Sequence, residues 1–288
     1  MKCYIVANCG SSFGGGYSGN PSTGSQIKIN PSSVPTEKGF GIEALFFKDS
    51  PDFAFVQGLG RVGAAISPSN SEETFFGPPG FESMSDLFYR KEEKEKYPNQ
   101  KITLATAFNL FEKTGSVLGR YSLKLGLMGK YNKLTNNVSP GGGLSGVLGP
   151  LYFGYSIYDD EVKLEQSYDG NDPTKPIKYQ VRTYNLGLFL NSLILDYSNL
   201  RMQEPHESSV SLFTASLMVS RFIITASKRI EDSPRPFYNY DTQQLEFKQL
   251  KEDYFGGVQY SASNHFMFGV LYNYYLLREV SGSLTVFF

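Results

Sequence analysis

The chain ends in Val280-Ser281-Gly282-Ser283-Leu284-Thr285-Val286-Phe287-Phe288, a stretch in which apolar and small polar side chains alternate with a period of two. One face carries the valines, the leucine and the terminal Phe288, and the other carries the serines and the threonine. A helix would instead place its apolar residues three and four positions apart. The stretch therefore predicts a β-strand with one apolar and one polar face.

The same alternation recurs upstream, in segments of about ten residues that are separated by turn residues. Leu, Val, Phe and Tyr lie on one face of these segments, and Ser, Lys, Gln, Asn and Gly on the other. An interruption of the pattern near Arg182–Tyr184 predicts a β-bulge. About twelve strands are predicted, within a range of ten to fourteen, at residues 39–49, 53–66, 101–112, 118–132, 143–158, 177–190, 192–200, 208–219, 221–230, 252–262, 265–277 and 279–288.

The composition excludes several classes of protein. The 288 residues carry 27 basic and 28 acidic side chains, and this balance excludes a nucleic-acid binder that relies on a basic surface. Aromatic residues make up 15% of the chain and charged residues 19%, so the chain is too rich in rings and too weakly charged to be disordered. No stretch approaches the roughly 18 apolar residues of a membrane helix. A membrane β-barrel is not excluded, because apolar and polar residues alternate along its strands and no long apolar run is needed.

Antiparallel strands of this kind form either a soluble sandwich or barrel, or a membrane barrel. Two features favour the membrane: Tyr and Phe cluster near strand ends, as in the aromatic girdles of membrane barrels, and short connections alternate with long ones. Short connections are expected at 191–192, 220–221 and 263–264, and long ones at 159–176, 201–207 and 231–251. We therefore predict an all-β protein, a closed antiparallel transmembrane β-barrel in the bacterial outer membrane.

The first 38 residues differ from the rest of the chain. Residues 10–38 are rich in Gly, Ser and Pro, which excludes a helix or a continuous strand. We expect residues 1–38 to be a flexible arm or an irregular plug of the lumen, and residues 39–288 to form the barrel. A long insertion at 67–100 breaks the alternation of loop lengths, which predicts a miscounted strand pair or a separate element there.

The final strand resembles the last strand of Gram-negative outer-membrane proteins. Its pattern V-x-G-x-L-x-V-x-F places apolar residues at every second position and ends on Phe288. In that family the strand is read by the barrel-assembly machinery. The resemblance therefore implies that Phe288 is an assembly signal and that this machinery is a partner.

A second resemblance covers residues 10–50. The Gly-rich opening, Asn30-Pro31-Ser32 and a strand that begins Gly39-Phe40-Gly41-Ile42-Glu43 are similar to the start of FadL-type transporters of hydrophobic compounds. In that family an N-terminal hatch with an Asn-Pro-Ala box plugs the lumen. Here Ser32 replaces the alanine, and Asn-Pro is also an ordinary way to start a turn.

Cys3 and Cys9 are the only cysteines in the sequence. Two cysteines are too few for a disulfide framework or for a zinc site of the usual spacing. Three states stay open: free thiols, a disulfide that closes a short loop in an oxidising compartment, and acylation of Cys9, whose surroundings resemble a lipoprotein box.

The polar faces carry charged residues that are predicted to point inward. In a water-filled lumen such groups bias which solutes pass, whereas opposed charges that pair across a plugged lumen conduct nothing. The basic excess among them favours anions. The predicted lumen-lining residues are Glu43, Arg120, Lys124, Lys130, Lys178, Arg182, Asp196, Arg221, Arg229 and Asp253. Phe75, Phe76 and Phe81, near rigid prolines, are predicted to contact lipid or a partner, or to pack on the barrel itself.

The sequence shows no recognisable catalytic site. His206 and His265 are the only histidines and lie far apart, so their spacing assembles no metal site. Ser261 and Ser263 lie near His265, but a hydrolytic triad also needs an orienting group and an oxyanion hole. We predict no catalytic residue, no metal, no cofactor and no enzymatic activity.

Two functions are compatible with such a barrel. The first is the passage of small molecules, as a porin-like channel or a hydrophobic-compound transporter, with the arm and the insertion as the constriction. The second is a non-conducting structural barrel that forms homo-oligomers and organises or encloses lipid. Outer-membrane lipid is a predicted partner in both cases, and nucleic acid in neither.

Overall fold

A computed structural model describes residues 25–46, 51–69, 101–113, 119–133, 135–162, 177–203, 208–231, 235–239, 244–248, 252–263, 265–274 and 280–288. Within these residues, fourteen strands form one closed antiparallel barrel, which confirms the predicted fold class and lies at the upper end of the predicted range. The barrel strands are β1 (Gly39–Phe46), β2 (Pro51–Gly58), β3 (Val62–Ser69), β4 (Lys101–Lys113), β5 (Tyr121–Asn132), β6 (Asn137–Leu148), β7 (Leu151–Val162), β8 (Ile177–Leu190), β9 (Leu193–Gln203), β10 (Ser208–Val219), β11 (Phe222–Glu231), β14 (Glu252–Ser261), β15 (Phe266–Asn273) and β16 (Val280–Phe287). Between β11 and β14, β12 (Arg235–Asn239) and β13 (Gln244–Lys248) form a separate hairpin.

Two short helical elements precede the first strand, so the prediction that residues 10–38 form no helix is wrong for part of that stretch. The two elements are the helix α1 (Ser25–Ile29) and a 3-10 turn (Pro31–Ser33). In the part of the chain that the structure covers, no helix combines the length and the apolar character needed to cross a bilayer.

The barrel closes where the last strand pairs with the first. β16 pairs with β1 over Gly41–Phe46, and the Phe288 N–H donates to the Phe40 carbonyl at 2.8 Å. The rings of these two phenylalanines lie 5.9 Å apart. Closure leaves no strand edge with unpaired backbone groups, and such groups cost several kcal/mol each in hydrocarbon.

In the structure, two of the predicted strands are each divided into two shorter strands. A turn with Gly60 at φ 110° divides segment 53–66 into β2 and β3, and Gly149 at φ 60° divides segment 143–158 into β6 and β7. Both glycines adopt the left-handed conformation that L side chains avoid. The first division lies within the first hundred residues, where a miscounted strand pair was predicted. The second division adds one strand between the β3–β4 connection and the later long connections, and so moves the β3–β4 connection to the same end of the barrel as those connections.

The two ends of the barrel differ in their connections. The turn end carries several tight turns, among them the predicted turns at 191–192 and 220–221, which are present. A short connection between β5 and β6 lies at the opposite end, the loop end. The loop end carries the connections that follow β3, β7 and β11. The bulge predicted near Arg182–Tyr184 is wrong, because β8 keeps continuous register with both neighbours. A register shift lies instead in β4, between Asn109 and Phe111.

Apolar side chains point outward and polar side chains point inward, as expected for the predicted membrane barrel. In β5 the outward Leu125 and Leu127 are exposed, whereas the inward Lys124 and Lys130 are buried. The final strand repeats this arrangement, with Leu284 exposed and Thr285 buried. An apolar surface that surrounds a polar interior is costly in water and is the arrangement of a barrel in contact with lipid.

Leu127→Arg tests the lipid contact of this surface. Leu127 is 61% exposed near the middle of β5, and a charge at the bilayer midplane is expected to lower the free energy of unfolding by about 2–4 kcal/mol. Val138→Arg is the control, because Val138 is 66% exposed at the loop end of β6. There the cost is expected to be about 0–1 kcal/mol. The measurement is urea unfolding in lipid vesicles, and equal costs at both positions would contradict a membrane-embedded belt.

Candidate functional site: the barrel interior and its seated arm

The residues before β1 lie inside the barrel. Ile27, Ile29 and Val34 are buried, and so are the polar residues between them. The Ser156 hydroxyl of β7 donates to the Ile29 carbonyl at 2.7 Å. At the turn end, the Gly60 N–H donates to the Thr36 carbonyl at 2.7 Å. We call residues 25–38 the seated arm.

Asn30-Pro31-Ser32 builds a compact turn within the seated arm. The Asn30 side-chain oxygen accepts hydrogen bonds from the Ser32 N–H at 3.1 Å and from the Ser32 hydroxyl at 2.7 Å. Pro31 occupies the first position of the 3-10 turn, where its missing N–H costs nothing. The turn therefore satisfies the N–H and hydroxyl groups of Ser32 internally, which lowers the cost of burying them.

A pair of glycines receives this turn. Gly126 of β5 and Gly143 of β6 are direct cross-strand partners, and both face inward. A Cβ atom at Gly126 would overlap the backbone of Pro31 and Ser32, and one at Gly143 would overlap the Asn30 side chain. Glycine in a strand interior often marks such a close approach of another backbone.

A second glycine pair receives the end of the arm. Gly58 of β2 and Gly63 of β3 are also cross-strand partners. A Cβ atom at Gly63 would overlap the Pro35 carbonyl, and one at Gly58 would overlap the Glu37 carbonyl. Burial raises the pKa of the Glu37 carboxyl above its ordinary value, and the positive charge of Lys124 partly opposes this shift.

A buried charge cluster lies toward the loop end. The Lys101 Nζ is 2.7 Å from one Asp160 carboxylate oxygen, and the Lys130 Nζ is 3.8 Å from the other. The Lys130 ammonium also lies 3.6 Å from the centre of the Tyr158 ring, close enough for a cation–π interaction. One carboxylate thus contacts two ammonium groups on the inner wall.

A second polar network surrounds Asp196 on the inner wall. The Tyr152 hydroxyl donates to this carboxylate at 2.8 Å, the Asn185 amide at 2.6 Å and the Ser198 hydroxyl at 3.2 Å. Tyr152, which the clustering of rings near strand ends placed in an aromatic girdle, therefore points inward. These hydrogen bonds compensate the burial of the carboxylate.

The structure places half of the predicted lumen-lining residues on the inner wall. Glu43, Lys124, Lys130, Asp196 and Arg229 are all buried there. Their roles in solute binding remain predictions.

Four of the other predicted residues have described side chains, and three of these lie off the inner wall. Arg120 lies at the turn end, where its guanidinium is 4.9 Å from the centre of the Phe189 ring. Arg221 is wrongly predicted, because it is exposed in a turn and donates to the Ala262 carbonyl at 3.1 Å. Lys178 and Arg182 are also wrongly predicted, because the inward residues of β8 are the odd-numbered ones and these two share the outward face with Tyr184.

Several predictions fall outside the described residues. They concern Cys3, Cys9, the Phe75, Phe76 and Phe81 cluster, the insertion from residue 70 to residue 100, and the side chain of Asp253. Phe288 is described and closes the barrel seam, and its role as an assembly signal remains a prediction.

Lys101, Asp160 and the four glycines that contact the seated arm were not predicted from the sequence. The glycines carried a signal, since each interrupts a strand at a position that its alternation assigns to the inner face. Asp160 carried none, because it falls in a segment that was predicted to be a long connection. Within the described residues, His, Cys, Asp and Glu form no group of three or more that could hold a metal ion.

Gly143→Val tests whether the pair of Gly126 and Gly143 holds the seated arm in place. The valine would overlap Asn30, and overpacking of this kind costs about 1–3 kcal/mol, which corresponds to roughly a 5- to 150-fold larger unseated population. We expect trypsin to cleave after the buried Lys28 faster by a similar factor.

Gly142→Val is the matched control for this variant. Gly142 is adjacent and faces outward, where a Cβ atom would meet only the Gly126 carbonyl at 3.6 Å and Leu127 at 4.0 Å. Its cleavage rate is expected to equal that of the unmodified protein. Equal rates in the two variants would show that the arm is not held by this glycine pair.

Comparison with known proteins finds distant structural similarity. No protein-family model matches the sequence. A search of curated proteins also finds no match. Among solved structures, the chain is similar to Salmonella typhi OmpF in complex with daunomycin at 7% identity and a TM-score of 0.45, covering 87% of this chain and 97% of that chain. It is similar to the Pseudomonas putida toluene transporter TodX at 10% identity and a TM-score of 0.42, covering 97% of both chains. It is similar to the Ralstonia pickettii toluene transporter TbuX at 11% identity and a TM-score of 0.43, covering 96% of this chain and 95% of that chain.

Proposed function

We propose that this protein is an outer-membrane channel for small molecules and that the seated arm obstructs its lumen until it is displaced. The observation that carries the proposal is the burial of the arm inside a closed barrel, on two glycine pairs that leave room for a second backbone. The hydrogen bonds that hold it are individually modest, at about 0.5–1.5 kcal/mol each. An obstruction held in this way can leave and return without unfolding the wall.

The inner wall favours polar or anionic solutes at the loop end. The cluster of Lys101, Lys130 and Asp160 has two basic members and one acidic member. Rings of basic side chains are a common basis of anion preference in pores.

Reversible locking of the arm tests the proposal. The Ser145 hydroxyl donates to the Ser32 carbonyl at 3.4 Å, so Ser32→Cys with Ser145→Cys places two thiols at the seat. Cys3 and Cys9 are replaced by serine in every variant. In planar bilayers, oxidation of this pair is expected to suppress the conductance steps, and a reductant is expected to restore them.

Ser216→Cys with Thr225→Cys is the matched control pair. These inward residues are direct partners in β10 and β11, with their oxygens 2.8 Å apart, and a disulfide there leaves the arm untouched. Oxidation of this control pair is expected to leave the conductance steps unchanged. Well-folded protein that stays silent in both redox states would contradict the channel.

The second candidate is a non-conducting barrel that organises lipid or forms homo-oligomers. The observation that favours it is an apolar groove of about 840 Å³ in the wall, bordered mainly by residues of β8 to β11 and β14. Silence in the bilayer experiment would favour this function.

A further inference from the structure

Two arginines face each other on the outer surface of the barrel. Arg182 of β8 and Arg201 of β9 are direct cross-strand partners. Arg201 is exposed and Arg182 half-buried, on the face that also carries Tyr184 and Leu186. Like charges placed directly opposite each other destabilise a sheet, so this pair needs a compensating anion.

In the described part of the chain neither guanidinium forms an ion pair, and the Asp159 carboxylate on this face reaches Arg182 only through Gln180, whose side-chain N–H donates to it at 3.1 Å. Arg182 donates two hydrogen bonds, at 3.1 and 3.0 Å, to the side-chain oxygen of Gln180. Arg201 donates one, at 3.1 Å, to the side-chain oxygen of Asn199. Neutral amides thus orient both guanidinium groups and leave further N–H donors available, since each arginine has five.

The surroundings of the pair identify the class of ligand. The Arg201 guanidinium lies 5.8 Å from the centre of the Tyr184 ring, and Tyr184 packs on Tyr155 with ring centres 5.2 Å apart. Tyrosines of this kind occupy the boundary between headgroups and acyl chains. The arginine pair therefore lies at headgroup depth, on the loop-end side of the apolar belt.

The apolar groove lies directly below the pair. Leu186 and Tyr197 border it, and they share the outward faces of β8 and β9 with the arginines. Tyr197 precedes Arg201 by four residues, a separation of about 13 Å along a strand. A ligand that fits both parts has an anionic headgroup and an apolar tail.

We propose that Arg182, Arg201 and the groove below them form a binding site for a phosphate-bearing anionic lipid. The two guanidinium groups share the phosphate oxygens, which arginine binds through paired N–H donors, and an acyl chain lies along Leu186 and Tyr197. The inference rests on the proposed position in a membrane and does not depend on conductance. A barrel that binds this lipid and conducts nothing would support the site and contradict the channel.

Native mass spectrometry of the detergent-solubilised barrel with phosphatidylglycerol or phosphatidylcholine tests the site. The unmodified protein is expected to bind phosphatidylglycerol at least tenfold more tightly than phosphatidylcholine. Arg182→Gln with Arg201→Gln is expected to abolish that preference, with roughly a tenfold or greater loss of affinity for phosphatidylglycerol. Arg221→Gln is the control, because it removes an exposed arginine at the opposite end of the barrel and is expected to have no effect. Unchanged binding in the double variant would overturn the proposal.

One further variant, together with inorganic phosphate as a competing ligand, distinguishes a bound lipid from a bound soluble anion. Gly256→Leu adds a side chain at the groove border, at a position with open space around it, and is expected to weaken lipid binding while the arginines stay in place. Inorganic phosphate that binds as tightly as the lipid, together with unchanged lipid binding in Gly256→Leu, would assign the pair to a soluble anion and overturn the proposal. Arg182→Glu is expected to raise stability in neutral detergent and to abolish lipid binding, since the introduced carboxylate would pair with the Arg201 guanidinium across the two strands.

Discussion

Deletion of residues 1–38 is expected to convert rare conductance steps into frequent, several-fold larger ones in planar bilayers. The deletion removes the whole seated arm, including the turn at Asn30 and the buried Val34, from the lumen. The wall residues that bind the arm, Ser145 and Ser156, would then be hydrated. Water satisfies such hydroxyl groups nearly as well as protein does, so the barrel is expected to stay folded.

Two controls accompany this deletion. Heat-modifiable migration on an unheated gel reports whether the shortened chain still forms a barrel. Deletion of residues 1–24 alone keeps the seated arm and is expected to leave the conductance close to that of the full chain. If the shorter deletion opened the channel fully, or if the longer one left conductance unchanged, residues 25–38 would not be the obstruction.

Asp160→Ala is expected to lower the free energy of unfolding by about 3–5 kcal/mol, because it removes the carboxylate that two buried ammonium groups contact. Lys101 and Lys130 are almost completely buried, and the Asp160 carboxylate lies between their ammonium groups. The measurement is urea unfolding in vesicles near neutral pH, where lysine carries its charge.

Asp159→Ala is the matched control for this substitution. Asp159 is adjacent but exposed on the outer face, where it accepts one hydrogen bond from Gln180 at 3.1 Å. Asp159→Ala is expected to lower the free energy of unfolding by no more than about 0.5 kcal/mol. In a further variant, Asp160→Leu is combined with Lys101→Met and Lys130→Met and is expected to recover most of the lost stability, because it removes all three charges together. Equal costs for Asp160→Ala and Asp159→Ala would show that the cluster is not a buried ion network.

The fold was largely predictable because its main signal is local. A period of two in residues such as Leu125 and Leu127 needs no knowledge of the neighbouring strands, and the structure confirms both faces of β5, β15 and β16. The turns at Gly60 and Gly149 were not predictable in the same way. Each is so short that the apolar pattern continues on both sides of it.

The functional residues were less predictable because their roles depend on contacts between distant strands. Arg182 was predicted to face the lumen, but the continuous register of β8 places it outward. Lys101 and Asp160 are 59 residues apart and lie on β4 and β7, which are not neighbours in the sheet. They meet because inward side chains of a closed barrel converge.

The sequence alone thus determined that each strand has one apolar and one polar face, since alternation is a property of consecutive residues. Only the tertiary structure decided which face points to the outside of the barrel. It also decided where two of the alternating segments divide into separate strands, and which glycines lie opposite each other in contact with the arm. Closure and register are set by hydrogen bonds between strands that the chain brings together from far apart, and no local pattern specifies them.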